Sequence, residues 1–311
     1  MEMLFIRRRE GLTGGHLKVR DYIEHTHASG LYRPVLYLSG EPAPALHDAD
    51  LFDRLPCRRS PRLRPAEAYF VAGDDWRQLD EAGLDPAGCH VINLVQGFRH
   101  LTPGSFLRAC LSRPATRICV SNALADAIRP LANGPVQVAP TAIARPPMPA
   151  RAGGSTDVFI AGLKDPPLAR AIAAALGDTV HVDVATAAIP RGEYLARIAR
   201  AHVAVLLPLP REGFFLPPLE AMHLGVAAVT CDCLGGRDHC IDGMNCLVVQ
   251  RDPAALASAA RRLLADPVLR SALRAGGAAT VACRSLARER DHYRHILQTL
   301  APPWQCPSRP V

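Results

Sequence analysis

Short apolar runs alternate with segments of helical periodicity along the whole chain. The runs are nearly continuous, as expected for strands that are buried on both faces of a parallel sheet. Helical periodicity fills the intervals, as in LARAIAAAL after residue 168 and AALASAARRLLAD after residue 254. The pattern therefore predicts an α/β fold with parallel sheets. The predicted strands are MLFIRR, PVLYLS, AYFVAG, HVINLVQ and RICVS in the first half, and DVFIAG, VHVDVAT, VAVLLPL, AAVTCD and NCLVV in the second.

A segment without periodicity separates two such halves. Residues 140–156, PTAIARPPMPARAGGST, are rich in Pro and Gly, as in a hinge or linker. We predict Rossmann-like domains over 1–150 and 151–284, facing each other across a cleft. Residues 285–311 are predicted to form a helix that crosses back to the first domain, followed by a tail. Because parallel sheets bind ligands beyond the carboxyl ends of their strands, a ligand site is expected at those ends.

Length and composition favour a globular cytoplasmic protein. The 311 residues suffice for two α/β domains, and 49% of them are hydrophobic. The longest apolar stretch, VAVLLPL, is shorter than the ~18 residues of a membrane span. The N-terminus MEMLFIRRREG carries its charges after the apolar residues, the reverse of a signal peptide. The ten cysteines form no CxxC pair, which favours reduced thiols.

The protein has a net charge of +7, and its basic residues are densest in RLPCRRSPRLR, over residues 54–64. One interpretation is a solvated loop. The other is contact with an anionic acceptor or with acidic lipid headgroups at the inner membrane face. Because no aromatic residues interleave with the arginines, nucleic acid binding is disfavoured. The residues concerned are Arg54, Arg58, Arg59, Arg62 and Arg64.

The segment Leu206–Gly225, LLPLPREGFFLPPLEAMHLG, carries the clearest chemistry. A buried strand ends near Pro208, a turn with Glu212 and Gly213 follows, and a helix opens with a Pro-Pro pair. Proline is tolerated in the first helical turn, where N–H groups have no internal partner. The exposed N–H groups and the positive end of the helix dipole make a phosphate site. Glu212 and Glu220 flank it as acceptors for sugar hydroxyls.

The E-x(7)-E spacing of Glu212 and Glu220 resembles the signature of family 4 retaining glycosyltransferases. The continuation VAAVTCDCLGGRDHCIDGMNCLVV is also similar, and the resemblance covers Asp157 to about Gly277 well and the first half weakly. It implies a GT-B fold and transfer of a sugar from a nucleoside diphosphate sugar to an acceptor hydroxyl with retained configuration. Glu220 would bind the ribose hydroxyls, and Glu212 would face the donor sugar. Backbone N–H groups would contact the pyrophosphate, from Phe214, Phe215 and Leu216.

Two further segments are candidates for the same site. Gly162 and Lys164 follow the first strand of the second domain, where the family usually places a basic residue that reaches the donor phosphates. Arg211 is the alternative cation. In the first domain, GLTGG over residues 11–15 follows the first strand, and a helix is predicted from near His16. The resemblance places Gly14 and Gly15 near the donor phosphate and the acceptor, although a plain turn is equally compatible with them.

The chain departs from the family pattern at several positions. Gln96 ends a strand where many relatives carry a histidine that contacts the transferred sugar, and an amide cannot relay protons. The nearby His100 is a candidate substitute, although a lone surface histidine is more often inert. Thr141 stands in a Pro-Thr-Ala sequence where relatives often have Pro-Asn-Gly, and Cys246 stands where glycine is common. These departures leave the sugar and the acceptor, a carbohydrate or a lipid-linked molecule, undetermined.

Two patterns could suggest a metal. Asp48-Ala49-Asp50 has the Asp-x-Asp form of metal-dependent GT-A enzymes, but no second acidic cluster supports it. Soft ligands lie close together at Cys231, Cys233, His239 and Cys240. Since Cys231 and Cys233 bracket a strand end, where alternate side chains point to opposite faces, joint coordination is disfavoured. We predict neither a metal nor another cofactor.

Two other functional classes stay open. A nucleotide-sugar epimerase or hydrolase on the same fold would act without an acceptor. A catalytically silent partner in a polysaccharide assembly complex would bind without turnover, which the glutamine at position 96 keeps under consideration. The resemblance itself suggests bacterial surface polysaccharide or glycoconjugate synthesis.

Overall fold

The computed structural model of the protein describes residues 1–8, 14–40, 52–144 and 156–300. The chain forms two compact units, one comprising Met1–Thr141 with Leu286–Val311 and the other Ala142–Ser285. Most of the predicted linker, the Asp48–Asp50 pair and the tail lie outside the described residues. No helix within the described ranges is long and apolar enough to cross a membrane.

The first unit contains a parallel sheet of seven strands in its described residues, in the order β3-β2-β1-β4-β5-β6-β7. All five predicted strands are present. The strands are β1 Glu2–Arg8, β2 Arg33–Ser39, β3 Arg58–Arg59, β4 Ala68–Ala72, β5 His90–Val95, β6 Thr116–Cys119 and β7 Val136–Val138, with helices α1 Gly14–Ser29, α2 Asp75–Glu81, α3 Phe106–Ala109 and α4 Asn122–Ile128.

The two strands that the sequence pattern missed, β3 and β7, lie at the two edges of this sheet. β3 consists of two arginines of the basic stretch, and it pairs with Val35 and Leu36 through its backbone. A strand of two charged residues has no apolar pattern, and the three residues of β7 are too few to show alternation. Charged residues on a short edge strand also oppose pairing with other chains.

The second unit contains a parallel sheet of five strands in its described residues, in the order β12-β11-β10-β8-β9. Side chains of one strand alternate between two hydrophobic clusters, so that Val203 and Val205 pack on one face and Ala204 and Leu206 on the other. Helices cover both faces, as continuous apolar strands require. The elements are β8 Thr156–Ala161, β9 Val182–Ala185, β10 Ala201–Leu206, β11 Ala227–Cys231 and β12 Leu247–Val249, with α5 Pro166–Leu176, α6 Arg191–Arg200, α7 Leu216–His223, α8 Pro253–Ala265 and α9 Pro267–Cys283.

The last helix, α10 Leu286–Thr299, packs on α1 of the first unit. Its contact centres on a buried cluster of charges: the Lys18 Nζ lies 2.6 Å from Glu289 Oε2 and 2.9 Å from Asp21 Oδ2. Tyr293 of α10 adds a hydrogen bond between its hydroxyl and Thr26 Oγ1, at 3.1 Å. Burial alone would raise the pKa of Glu289, but Lys18 and His25 together outweigh burial and hold the pKa below its usual value.

We expect Lys18→Met to destabilise the first unit by about 3–5 kcal/mol, because it removes the buried cation that pairs with both Asp21 and Glu289. Glu289→Gln should cost less, since Asp21 still pairs with Lys18. Thermal and urea unfolding measure both losses of stability. The loss caused by Lys18→Met should narrow toward pH 5, because Glu289 without the Lys18 charge takes up a proton more readily.

The control is Arg290→Met, an exposed position on the same helix, which should change stability by no more than about 0.5 kcal/mol. Equal losses for Lys18→Met and Arg290→Met would show that the buried charge cluster does not hold α10.

Candidate active site

The strands of the second unit end at one edge of their sheet, and the predicted segments follow them. β8 leads into Gly162 and Lys164, and β10 leads into the loop with Glu212. β11 leads into a short 3₁₀ helix, Leu234–Gly236. Because all pairs are parallel, these loops meet at the carboxyl edge.

Lys164 and Glu212 form an ion pair at this edge. The same carboxylate oxygen, Glu212 Oε1, accepts the backbone N–H of Leu209 at 2.9 Å, which closes the loop on itself. The Lys164 ammonium lies 5.4 Å from the centre of the Phe215 ring. The cation and the carboxylate that the sequence assigned to phosphates and sugar are thus direct neighbours. Lys164 is the more exposed partner, with 39% of its side chain accessible against 14% for Glu212.

Two glycines let backbone segments approach closely here. A Cβ on Gly235 would lie 2.5 Å from the Glu212 carbonyl oxygen and closer still to the Gly213 carbonyl. A Cβ on Gly162 would overlap the Ala169 side chain of α5. Only glycine therefore allows the Glu212–Gly213 loop to rest on the 3₁₀ helix and α5 to start against β8.

The start of α7 is held by contacts with His239. Phe215 precedes α7 and Leu216 begins it, with prolines in its first turn. The His239 Nε2 donates to the Phe215 carbonyl at 2.7 Å, and the His239 ring stacks on Phe214 at 4.6 Å. Burial lowers the pKa of His239 to about 3, so the ring is neutral at physiological pH. His239 therefore supports the helix start, where N–H groups lack intrahelical partners.

Glu220 lies within α7 and is buried, with 3% of its side chain exposed. Its Oε1 is 2.6 Å from Arg191 Nη1, the first residue of α6. Despite this distance, Glu220 Oε1 has no aligned hydrogen bond in the described residues. Tyr194 lies nearby, and its burial, followed by the charge of Glu220, raises its pKa well above the usual value. The carboxylate thus retains acceptor capacity.

Sequence reasoning missed Arg191 and Arg251 at this edge. Arg251 donates to the Pro208 carbonyl at 2.5 Å and to Asp165 Oδ2 at 2.6 Å, which joins the end of β10 to the residue that caps α5. No short-range motif marks either arginine, since their partners are distant in sequence. Arg211, the alternative to Lys164, is exposed in the loop.

In the first unit, the structure places Gly14 and Gly15 in the first turn of α1 rather than in a loop. The helix begins before the predicted start near His16, because the two glycines carry no side chains that could show its period. Gln96 follows β5, and its amide donates to the Gly15 carbonyl at 3.4 Å. The structure thus brings Gln96 and Gly15 together.

His100 is not the surface histidine that the sequence suggested. It lies in a short 3₁₀ helix with 1% exposure, and burial lowers its pKa to about 4. His100 is therefore a buried, neutral ring in this structure, and its catalytic role stays a prediction. The apolar residues around it in the sequence FRHLTPGSFL are too irregularly spaced to predict its burial.

The carboxyl edge of the first sheet carries a polar cluster that the sequence analysis did not identify. Arg7, at the end of β1, lies 3.3 Å from Asp75, whose carboxylate also accepts the Ala72 N–H at 3.0 Å. Burial raises the pKa of Asp75 to about 6, against the lowering effect of Arg7. Gln78 links the cluster to Ser39 at the end of β2, at 2.6 Å.

The arginine stretch is partly neutralised. Glu2 forms ion pairs with Arg58, at 2.9 Å, and with Arg64, while Asp53 pairs with Arg59 at 3.4 Å. Arg54 and Arg62 are exposed. The paired arginines present a weaker positive field than the sequence suggests.

The cysteines near the site lie on both faces of the second sheet, with Cys240 on the same face as Cys233. Cys231 packs on one face of the second sheet, whereas Cys233 and Cys246 pack on the other. This separation is the one expected from strand alternation. Within the described residues, no three His, Cys, Asp or Glu side chains come together as a possible metal site.

Comparison with known proteins places this geometry in context. Residues 143–266 match the model of the family described as glycosyl transferases group 1. The chain is 36% identical over 148 residues to a D-inositol 3-phosphate glycosyltransferase of Frankia alni, an alignment that covers 45% of this chain. The aligned part spans about a third of that relative, 35% of its length.

Solved structures resemble nearly the whole chain. The HepE protein of Anabaena, solved with UDP and glucose, has a TM-score of 0.77 at 13% identity, covering 96% of this chain and 100% of its own. Sucrose-phosphate synthase of Thermosynechococcus elongatus has a TM-score of 0.69 at 15% identity, covering 96% and 99%. The expected α/β fold with two parallel sheets, of the GT-B type, is confirmed.

We expect Gly235→Ala to displace the Glu212–Gly213 loop, because the added methyl meets backbone carbonyls that cannot rotate away. The stability of the second unit should fall by about 1–3 kcal/mol. Trypsin cleavage after Arg211 should become faster, and both effects are measured on the purified variant by thermal unfolding and timed proteolysis.

Gly192→Ala is the control, since a Cβ there meets open space; its stability should equal or slightly exceed that of the parent. A Gly235→Ala protein with parental stability and cleavage rate would mean that the loop does not depend on this contact.

Proposed function

We propose that this protein is a retaining glycosyltransferase that moves a sugar from a nucleoside diphosphate sugar to an acceptor hydroxyl. The observation that carries the proposal is the grouping of Lys164, Glu212 and the start of α7 at one sheet edge, with the buried carboxylate of Glu220 in the same helix. The match to glycosyl transferases group 1 spans these residues.

The donor would bind with its diphosphate at the beginning of α7. N–H groups there, the helix dipole and the Lys164 ammonium supply the positive field. Glu220 would accept the ribose hydroxyls, and Glu212 would face the sugar. Support for a nucleotide donor comes from the Anabaena neighbour, which was solved with UDP and glucose.

The transfer step needs no protein nucleophile. The acceptor oxygen forms a bond to the anomeric carbon on the face from which the diphosphate departs, and the bond between that carbon and the diphosphate oxygen breaks. The acceptor proton passes to the departing diphosphate, so charge and atoms balance. Fixed dipoles and Lys164 stabilise the negative charge that develops on the leaving group. We propose that no divalent metal is required.

Gly15 and Gln96 of the first unit are the candidates for contact with the acceptor, since the Gln96 amide contacts the Gly15 backbone. A carbohydrate or lipid-linked acceptor fits the proposal, as does a role in bacterial surface polysaccharide or glycoconjugate synthesis. Peripheral contact of Arg54 and Arg62 with acidic lipid remains part of the proposal and is tested by vesicle co-sedimentation.

The amide at position 96 favours a second candidate, a protein that binds the donor without transferring its sugar. Donor breakdown measured with and without candidate acceptors separates the possibilities. Acceptor-dependent breakdown supports transfer, acceptor-independent breakdown supports a hydrolase or epimerase, and tight binding without breakdown supports a silent partner.

The two glutamates should affect different steps. Glu220→Ala removes the charged acceptor of the ribose hydroxyls, each hydrogen bond contributing roughly 1.5–3 kcal/mol. Nucleoside diphosphate binding should weaken at least about tenfold. Glu212→Ala should lower turnover strongly and leave diphosphate binding nearly intact. Calorimetric titration and initial rates measure the two effects.

The matched control is Glu193→Ala on α6, an exposed carboxylate paired with Arg197 at 3.7 Å, which should change neither quantity. Unchanged nucleotide affinity in Glu220→Ala would contradict the ribose assignment. Equal loss of binding and rate in Glu212→Ala would instead indicate collapse of the loop that its carboxylate closes.

Activity should survive an excess of chelator, because α7 and Lys164 provide the positive field that a metal supplies in other enzymes. Donor turnover is compared with and without chelator, and the metal content of the purified protein is measured in parallel. Complete loss of activity that magnesium or manganese restores would overturn the metal-free site.

A further inference from the structure

We propose that Arg191 and Glu220 form one recognition unit for the ribose of the nucleotide, in which Arg191 orients Glu220 and donates to the hydroxyl oxygens. The inference rests on the proposed function and goes beyond it by adding a specificity-determining residue. Arg191 precedes the segment Leu206–Gly225, and no sequence feature singled it out.

The contact between Arg191 and Glu220 is short, and the two side chains differ in solvent exposure. Arg191 Nη1 lies 2.6 Å from Glu220 Oε1, and 33% of the arginine side chain is exposed against 3% of the glutamate. A buried carboxylate requires a counter-charge. Arg191 provides that charge and also keeps a face toward solvent, from which a ligand arrives.

The position of Arg191 is unfavourable without Glu220. As the first residue of α6, it places a cation at the positive end of the helix dipole. The other arginines of α6 have local partners: Arg197 pairs with Asp183, and Arg200 donates to the Ala196 carbonyl at 3.2 Å. The ion pair with Glu220 therefore accounts for the cation at this end.

The geometry leaves hydrogen-bonding capacity on both partners. Glu220 Oε1 is buried and lacks an aligned hydrogen bond, although the guanidinium nitrogen is close. Burial and the Glu220 charge raise the pKa of the neighbouring Tyr194 well above its usual value, so its hydroxyl is neutral. An oriented carboxylate beside a guanidinium thus offers an acceptor and donors side by side.

A ribose diol complements this pair. Each hydroxyl can donate its proton to a carboxylate and accept an N–H through its oxygen. The planar guanidinium presents several donors in a fixed fork, whereas a lysine would present a point charge. A 2′-deoxyribose lacks one of the hydroxyls. Arg191 should therefore affect ribonucleotides more than their deoxy counterparts.

The test measures dissociation constants by calorimetry for UDP, GDP and ADP, and for the 2′-deoxy form of whichever binds the parent protein most tightly. Arg191→Gln should weaken the ribonucleotide about tenfold or more and the deoxynucleotide by less than about threefold. Arg191→Lys should restore part of the affinity, because it keeps the charge but not the fork. Arg200→Gln, on the same helix, should match the parent protein for both nucleotides.

A second readout isolates the pair itself. The double variant Arg191→Gln/Glu220→Gln should bind the ribonucleotide almost as tightly as the single variant that binds it less well. The two losses should not add, because both residues contact the same hydroxyls. Thermal midpoints are recorded for every variant. If Arg191→Gln is too unstable to titrate, the ribonucleotide and the deoxynucleotide are compared in Arg191→Lys instead. That variant should also lose more affinity for the ribonucleotide than for the deoxynucleotide.

Each other outcome has a defined meaning. Equal weakening of ribo- and deoxynucleotide would overturn the inference and assign Arg191 to the phosphates or to folding. Undiminished binding in Arg191→Gln, together with loss in Glu220→Gln, would refute the inference and leave the proposed function standing. If the parent protein binds none of the three ribonucleoside diphosphates and breaks down no nucleotide-sugar donor, the proposed function is refuted, and the inference with it.

Discussion

The candidate site depends on the backbone contact between Gly235 and the Glu212–Gly213 loop. With no Cβ at position 235, two loops from neighbouring strands rest directly on each other. That contact sets where Glu212 can meet Lys164, and it brings the 3₁₀ helix near the start of α7, where His239 holds the Phe215 carbonyl. The loop, the ion pair and the start of α7 are therefore linked by direct contacts.

Burial gives similar ion pairs different roles. Lys18 and Glu289 are both almost fully buried, so their pair serves to fasten α10 to the first unit. In the pair of Lys164 with Glu212 and the pair of Arg191 with Glu220, the cation is partly exposed. Under the proposed function, a ligand would compete for the partly exposed cation of each pair, which solvent already reaches.

Local pattern predicted most of the regular structure, since burial of a strand in a parallel sheet leaves a continuous apolar run. All ten expected strands are present. The pattern failed where side chains carry no such information: in the two arginines of β3, the three residues of β7, and the glycines that open α1. It also failed at His100, which is buried although its neighbours show no clear period. The Glu212 and Glu220 segment was recognisable because strand, loop and helix follow one another within a short stretch.

The sequence alone determined the α/β class, the strands and the segment that carries the paired glutamates, because each depends on neighbouring residues. The tertiary structure decided which charges meet. Arg191 reaches Glu220 and Arg251 reaches Pro208 across long separations in sequence, and Lys18 reaches Glu289 from the opposite end of the chain. Such partners leave no local signal, since any exposed arginine or lysine has the same appearance in sequence. The packing of helices and sheet edges decides which oppositely charged side chains meet, and burial then strengthens the attraction between them.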